Sequence, residues 1–225
     1  MELHNKTYHH GNLREALLAA ALDQLRDSGT ETLSLRALAR SVGVSQTAPY
    51  RHFADKCDLL AALAASGHRR LLGSLEVAEG AKSPCPERQT YAFAHCYIDF
   101  AATNPELFKL MFGPALQDSE SFPDLHAAKR DTFERVRQIM RHGIELGRFR
   151  ALPVDYLANV AWAGIHGLAT LRIDVPSMFE TRIDLARQTD LGIAVFLAGV
   201  ANPQPGQPSG LAEQMLSGFG MHRPV

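Results

Sequence analysis

An all-α fold is predicted by three features of the chain. Apolar residues recur at three- and four-residue intervals along most of its length. No segment alternates apolar and polar residues with the two-residue period of a strand. Helix starts and stops are punctuated by Ser, Asp, Gly and Pro at the positions that suit them. There is no internal repeat.

The elements follow in order. Leu13, Leu17, Ala21 and Leu25 form one apolar row, with Leu18 and Leu22 beside it; Asn12 is placed to cap this first helix and Gly29 to end it. Leu35, Leu38 and Ala39 make a shorter face, started by Ser34 and stopped by Gly43. Asp55 and Asp58 form an Asp-x-x-Asp capping box that opens a long helix, "KCDLLAALAASGHRRLLGSL". "SPCPE" (83–87) reads as a loop. "RQTYAFAHCYIDFAATN" reads as a helix ending before Pro105, "PELFKLMFG" as a short one ended by Gly113, and "PALQDSESFP" as a polar loop. Helix resumes near Asp124 and runs to Gly147, with Phe133, Val136, Met140 and Ile144 in period. Pro153 suits the first turn of the helix carrying "DYLANVAWAGIHGLATLRI", and a last helix covers about "TRIDLARQTDLGIAVFLAGV". From Asn202 the chain becomes rich in Pro and Gly ("NPQPGQPSG"), so residues 202–225 are expected to form a mobile tail, with "LAEQML" making at most a transient turn.

Composition narrows the function. The 225 residues are 46% hydrophobic and 21% charged, with net charge −1. That supports a real core and argues against a wholly basic surface, while leaving room for a local basic patch. No apolar run approaches the ~18 residues of a membrane span, and no secretory leader is recognisable, so the cytoplasm is expected. Cys57, Cys85 and Cys96 are odd in number and irregularly spaced, which fits a reduced compartment and no disulfide framework. The chain lacks a nucleophile elbow, a Gly-rich phosphate loop, a His-Glu-x-x-His and a Cys-x-x-Cys; no enzyme, cofactor or metal site is expected. His95 and Cys96 are neighbours on a helix and point about 100° apart, which suits no metal. His9-His10 are taken as part of an N-terminal arm.

The functional signal lies in Ser34 to Phe53, a helix, a Gly-Val turn and a second short segment: the sequence form of a helix-turn-helix. Gly43 supplies the turn that only glycine adopts cheaply, Val44 fills the angle between helices, and Ser45 is expected to cap the second helix through its hydroxyl. At about 100° per residue, placing Phe53 in the core brings Pro49 inward with it. Thr47 and Arg51 then face outward, flanked by Ala48 and Tyr50, with Gln46 at the amino end. These side chains suit DNA: donors for base edges, a small Ala for a thymine methyl, a hydroxyl for a phosphate. Lys56 begins the next helix, where ammonium and free backbone N–H groups suit a phosphate. Pro49 lies near the start of this segment, which is expected to be a recognition helix of barely two turns.

These residues carry a resemblance. "LSLRALARSVGVSQTAPYRHFADKCDLLAAL", with Gly43-Val44-Ser45, Tyr50-x-His52-Phe53 and Lys56-x-x-Leu59, resembles the DNA-binding segment of the TetR/AcrR family of bacterial transcriptional regulators, and "YHHGNLREALLAAALDQLRDSG" resembles that family's first helix. The match covers about residues 8–65. Position 49 departs from it, since the family commonly has a larger apolar residue there. "NPELFKLMFG", "GIELGRFR" and "WAGIHGLATL" resemble the regulatory domain named for Trp-x-x-x-His-Gly, here Trp162, His166 and Gly167.

The resemblance implies a three-helix DNA-binding domain over residues 1–56 and a helical ligand-sensing and dimerising domain over 57–201. It puts DNA contacts on Gln46, Thr47, Ala48, Tyr50, Arg51, His52 and Lys56. It also implies a homodimer through the last two long helices, a double-stranded operator, and a small hydrophobic effector of unknown identity. Aromatic and Met residues at helical spacing, Phe100, Met111, Phe112, Phe133 and Met140, are core by spacing and effector contacts by resemblance. Trp162 and His166 share a helix face, either as packing with His166 hydrogen-bonded inside or as a pocket wall. Gly164 and Gly167 are expected to permit close helix approach at the dimer seam. The rival function is a small-molecule-binding helical protein without specific DNA recognition.

Overall fold

The computed structural model describes residues 13–78, 83–116 and 121–202. The expectations for Asn12, His9-His10 and the segment after Asn202 lie outside these residues. The described regular structure is helical: α1 (Leu13–Ser28), α2 (Leu35–Ser41), a 3-10 turn (Ala48–Arg51), α3 (Lys56–Val77), α4 (Pro86–Thr103), α5 (Pro105–Phe112), α6 (Pro123–Glu145), α7 (Val154–Asp174), α8 (Pro176–Thr181) and α9 (Leu185–Val200). The short α8 is not evident from apolar period, because its six residues span under two turns; Pro176 starts it. No described helix is long and apolar enough to cross a membrane.

Packing divides the chain into two compact units: residues 1–68 with 104–128, and 69–103 with 129–225. This division differs from a cut at residue 56, because the first half of α3 and all of α5 pack with the N-terminal helices.

In the first unit, α1 turns Leu17, Ala21 and Leu25 inward, the four-residue row seen in the sequence. It packs on α2, the 3-10 turn and α5. Ser34 caps α2 by accepting the Ala37 N–H at 3.1 Å. The helix then ends as a Schellman turn: the Val44 N–H bonds to Ala39 O and the Gly43 N–H to Arg40 O, with Gly43 at φ +74. A side chain at Gly43 would be forced into the left-handed region. The capping box of α3 is reciprocal. Asp55 Oδ1 accepts the Asp58 N–H at 2.9 Å, and Asp58 Oδ2 accepts the Ala54 N–H at 2.9 Å. Buried Gly67 lets α5 approach: a Cβ there would lie 2.5 Å from Met111 Sδ.

In the second unit, α4 packs against α7 and α9, and α7 against α9. Gly147 (φ +66) ends the helical chain after α6, and the polypeptide turns back so that Phe149 is buried over Gly143. Arg137 of α6 pairs with Asp155 of α7 at 2.8 Å. Asn202 was expected to open the free tail. It is anchored instead: its N–H donates to Arg148 O, and its Nδ2 to Gly147 O (2.7 Å) and Phe149 O (3.1 Å). The carbonyls exposed by the Gly147 turn need donors, and the Asn202 amide provides them.

Candidate functional site

The segment after the Gly43 turn is shorter than the two-turn helix expected for it. Only Ala48–Arg51 is regular, and it is 3-10. The cause is Pro49. In an α-helix Ser45 O would accept from the N–H of residue 49, which proline lacks. Ser45 O instead accepts the Ala48 N–H at 3.0 Å, three residues on, which is the 3-10 pattern. Pro49 O then accepts from both His52 N–H (2.9 Å) and Phe53 N–H (3.0 Å). Nor does Ser45 cap through its hydroxyl: that group meets Thr47 Oγ1 at 3.2 Å, and no side-chain cap is made at Thr47, the N-cap position.

The faces nonetheless divide as the sequence reading placed them. Pro49 and Phe53 are buried, Phe53 to 1% exposure, and the Arg14 guanidinium lies 5.4 Å from the Phe53 ring centre. Gln46, Thr47, Tyr50, Arg51 and His52 are exposed, and Ala48 is half-buried between them. Five polar or aromatic side chains thus stand on one short, rigidly anchored turn. Lys56, half-buried at the start of α3, donates from Nζ to Glu31 O at 3.2 Å. Its ammonium sits at a helix amino end whose carboxylate caps already engage two N–H groups.

Within the second unit, a hydrogen-bonded aromatic chain joins α4 to α7. Trp162 Nε1–H donates to Tyr97 Oη at 3.2 Å, and Tyr97 Oη lies 2.8 Å from His166 Nδ1. Indole only donates, so Tyr97 Oη accepts from Trp162, while the tautomer of His166 sets which of Tyr97 Oη and His166 Nδ1 carries the proton between them. Burial pushes the His166 imidazole below its usual range and the Tyr97 hydroxyl upward. Phe133 meets Trp162 edge-on at 6.0 Å, and Phe93 stacks on Tyr97 at 6.0 Å.

Beside this chain is a cavity of about 370 Å³ among α4, α6, α7 and α9. Val136, Ile139 and Met140 of α6 and Phe93 and Ala94 of α4 are its buried walls; Val160, Gly164, Gly167 and Leu171 of α7 and Gly192 of α9 edge its open side. No ionisable side chain lines it. Its polar groups are Thr90, Thr189 and Gln188. The two threonine hydroxyl protons are already donated within their own helices, to Pro86 O and Leu185 O, both at 2.8 Å.

Of the seven residues the sequence reading offered as effector contacts, Met140 alone lines this cavity. Trp162 and His166 belong to the aromatic chain behind it, with Phe133 against Trp162. Phe100 is buried in α4. Met111 and Phe112 lie in the first unit, where Met111 fills the space beside Gly67 and Phe112 packs on His68 and Phe108. Gly164 and Gly167 do not serve close packing inside the chain, since a Cβ at either would meet nothing within 4 Å. Of the missed lining residues, five are small, Ala94, Ala161, Gly164, Gly167 and Gly192, and most of the others are large apolar side chains such as Phe93, Ile139 and Phe196. Among the described residues no group of three or more His, Cys, Asp or Glu is arranged to hold a metal.

Comparison with known proteins bears on both features. The sequence matches the model of bacterial regulatory proteins of the tetR family over residues 17–63, and that of the tetracyclin repressor-like C-terminal domain over residues 90–196. A structure of a protein with unknown function from Rhodococcus sp. RHA1 superposes with a TM-score of 0.78 at 33% identity, covering 88% of this chain and 100% of that one. The nucleoid occlusion factor SlmA of Marinobacter nauticus is 26% identical over 137 residues, 61% of this chain and 69% of that protein. The tetracycline repressor protein class C of Escherichia coli is 51% identical over 51 residues, 23% of each chain.

Proposed function

Since the chain belongs to the TetR family of DNA-binding transcription regulators, we propose that two copies bind one pseudo-palindromic operator as a ligand-responsive repressor. The observation that carries this is the division of the Gln46–Phe53 turn. Pro49 and Phe53 lock it to the first unit, while Gln46, Thr47, Tyr50, Arg51 and His52 are left exposed on its outer side. Thr47 and Arg51 read base edges, Ala48 takes a thymine methyl, and Tyr50, His52 and Lys56 hold phosphates. Two such turns in successive major grooves require half-sites about 34–36 Å apart. Lys56 leaves Glu31 O to reach its phosphate, a small cost for an exposed bond.

The C-terminal unit senses an effector in the apolar cavity. An effector releases DNA only by as much as it prefers conformations whose two reading turns do not match the half-site spacing. No catalytic step and no resident cofactor enters this function, and the cytoplasm is its proper location.

A footprint on DNA flanking the protein's own coding region tests this proposal. Arg51→Ala or Thr47→Ala should lose about 1–3 kcal/mol at particular base positions while leaving other positions unchanged. A uniform loss over all positions would reduce these residues to backbone contacts. Absence of any protected site at physiological salt would favour a ligand-binding protein without specific DNA recognition.

A further inference from the structure

The polar groups of the cavity are few, and they gather at one level. Thr90 is the first residue of α4 to line it, and Gln188 and Thr189 are the first of α9. On the exposed side of these helices Tyr91 Oη–H donates to Asp190 Oδ1 at 2.6 Å, and His95 Nε2 lies 2.8 Å from the same oxygen. That contact sets residue 190 of α9 against residue 91 of α4. Thr90 and Thr189, one residue back on each helix and about 1.5 Å along its axis, therefore stand at the same height. Asp190 itself does not line the cavity.

The hydroxyl protons of both threonines are committed. A backbone carbonyl can only accept, so the 2.8 Å bonds to Pro86 O and Leu185 O consume them. What each threonine keeps for a ligand is an oxygen with lone pairs. Both residues are buried, so a group that reaches them has left bulk water. A ligand whose polar atom only accepts, a ketone, ester or ether, sets lone pair against lone pair there. A charged ligand is stripped of water with no counter-charge, since no ionisable side chain lines the cavity. The side-chain amide of half-buried Gln188 adds an NH2 and one further acceptor oxygen. A neutral hydroxyl matches this set: its proton goes to a threonine oxygen and its lone pair to the Gln188 NH2. We infer that the cavity takes an uncharged apolar alcohol or phenol, held by its hydroxyl between α4 and α9. Thr90 and Thr189 then select ligands by the direction of one hydrogen bond, while the rest of the wall selects for apolar bulk. The assignment rests on the reading of this cavity as an effector site and adds what the site accepts.

The test is a set of probes that share one ring system, measured by equilibrium dialysis against the full chain. 2-Naphthol carries the neutral hydroxyl. 2-Fluoronaphthalene has nearly the same shape and no proton to donate. 2-Naphthoate and 2-naphthylmethylammonium carry the two charges. 2-Naphthol should bind about tenfold more tightly than 2-fluoronaphthalene, and neither ion should bind at concentrations where 2-naphthol saturates. Two double variants then locate the preference, with circular dichroism verifying their helix content. Thr90→Val with Thr189→Val removes both oxygens at constant shape, and should bring 2-naphthol down to the affinity of 2-fluoronaphthalene. Thr90→Ser with Thr189→Ser keeps both oxygens and should keep the preference. Equal affinity of the two neutral probes for wild type overturns the assignment, as does saturable binding of either ion. So does a preference that survives in the valine variant; if that variant does not fold, the wild-type comparison still decides. Operator protection is read in parallel. Selective binding of 2-naphthol with protection unchanged keeps this ligand class and refutes the ligand-responsive repressor, whereas loss of protection with no preference for 2-naphthol does the reverse.

Discussion

Replacing Pro49 with alanine should change which DNA the protein prefers more than it changes stability. Alanine restores an N–H that Ser45 O can accept, so the Ala48–Arg51 turn is free to relax from 3-10 to α. That change alters the angle per residue from about 120° to about 100° and the rise from about 2.0 Å to about 1.5 Å. Over the three steps from Ala48 to Arg51 the Arg51 side chain swings by about 60° and draws back by about 1.5 Å, enough to break a bidentate contact to a base. The stability terms cancel only in part. Losing buried ring carbons costs about 1.6 kcal/mol for two methylenes, and the freer unfolded chain adds about 0.4–1 kcal/mol. The new hydrogen bond returns about 1 kcal/mol. A net loss of about 1–1.6 kcal/mol is expected, visible as a lower urea midpoint. The assay is selection of bound sequences from a randomised operator library by wild type and Pro49→Ala side by side. A changed preference at the base read by Arg51 is expected. Identical preferences and affinities would refute the idea that the proline-imposed 3-10 geometry sets where Arg51 points.

Three other perturbations test separate parts of the structure. Lys56→Ala should weaken binding on all sequences alike and reduce the slope of log K against log salt by about 0.9; an unchanged slope would remove Lys56 from the phosphate contacts. Gly143→Ala should destabilise by about 1–2 kcal/mol, because the added Cβ overlaps the buried Phe149 ring and the overpacking outweighs about 1 kcal/mol of helix propensity; thermal unfolding measures it, and a higher midpoint would show that the ring moves freely. Burial holds His166 neutral in the folded chain, while the unfolded chain protonates it from about pH 6.5 downward. Its contribution is complete above that pH and is lost as pH falls toward the lower folded-state value, so urea midpoints should drop more between pH 7.5 and 5.5 in wild type than in His166→Asn; parallel curves would contradict this.

Much of the DNA-reading half was legible in order of residues because its determinants are local. Ser34 caps within one turn, Gly43 needs positive φ, and Asp55 and Asp58 reach N–H groups three and four residues away. The inward direction of Pro49 and Phe53 was read from helical spacing, and both are buried. The length of the reading turn was less legible. It depends on which carbonyl finds a donor once residue 49 has none, and that competition is settled only when Phe53 is anchored and Ser45 O has taken the Ala48 N–H.

The C-terminal half divides differently. Apolar period identifies which face of α4, α6, α7 or α9 turns inward, and it did so for Met140, Trp162 and His166. Periodicity cannot distinguish an inward side chain that meets another from one that meets a void. Phe100, Met111, Phe112 and Phe133 have the chemistry of a pocket wall and are consumed by packing; Gly164, Gly167 and Gly192 have almost no chemistry and border the cavity because they leave volume unfilled. Sequence by itself therefore determined the long helices, the caps at Ser34 and Asp55 and the outward set Gln46, Thr47, Tyr50 and Arg51, since each follows from bonds or angles spanning a few residues. Only the tertiary structure decided the cavity and the aromatic chain beside it, because a void and a hydrogen bond between Tyr97 and His166 are sums over helices far apart in the sequence.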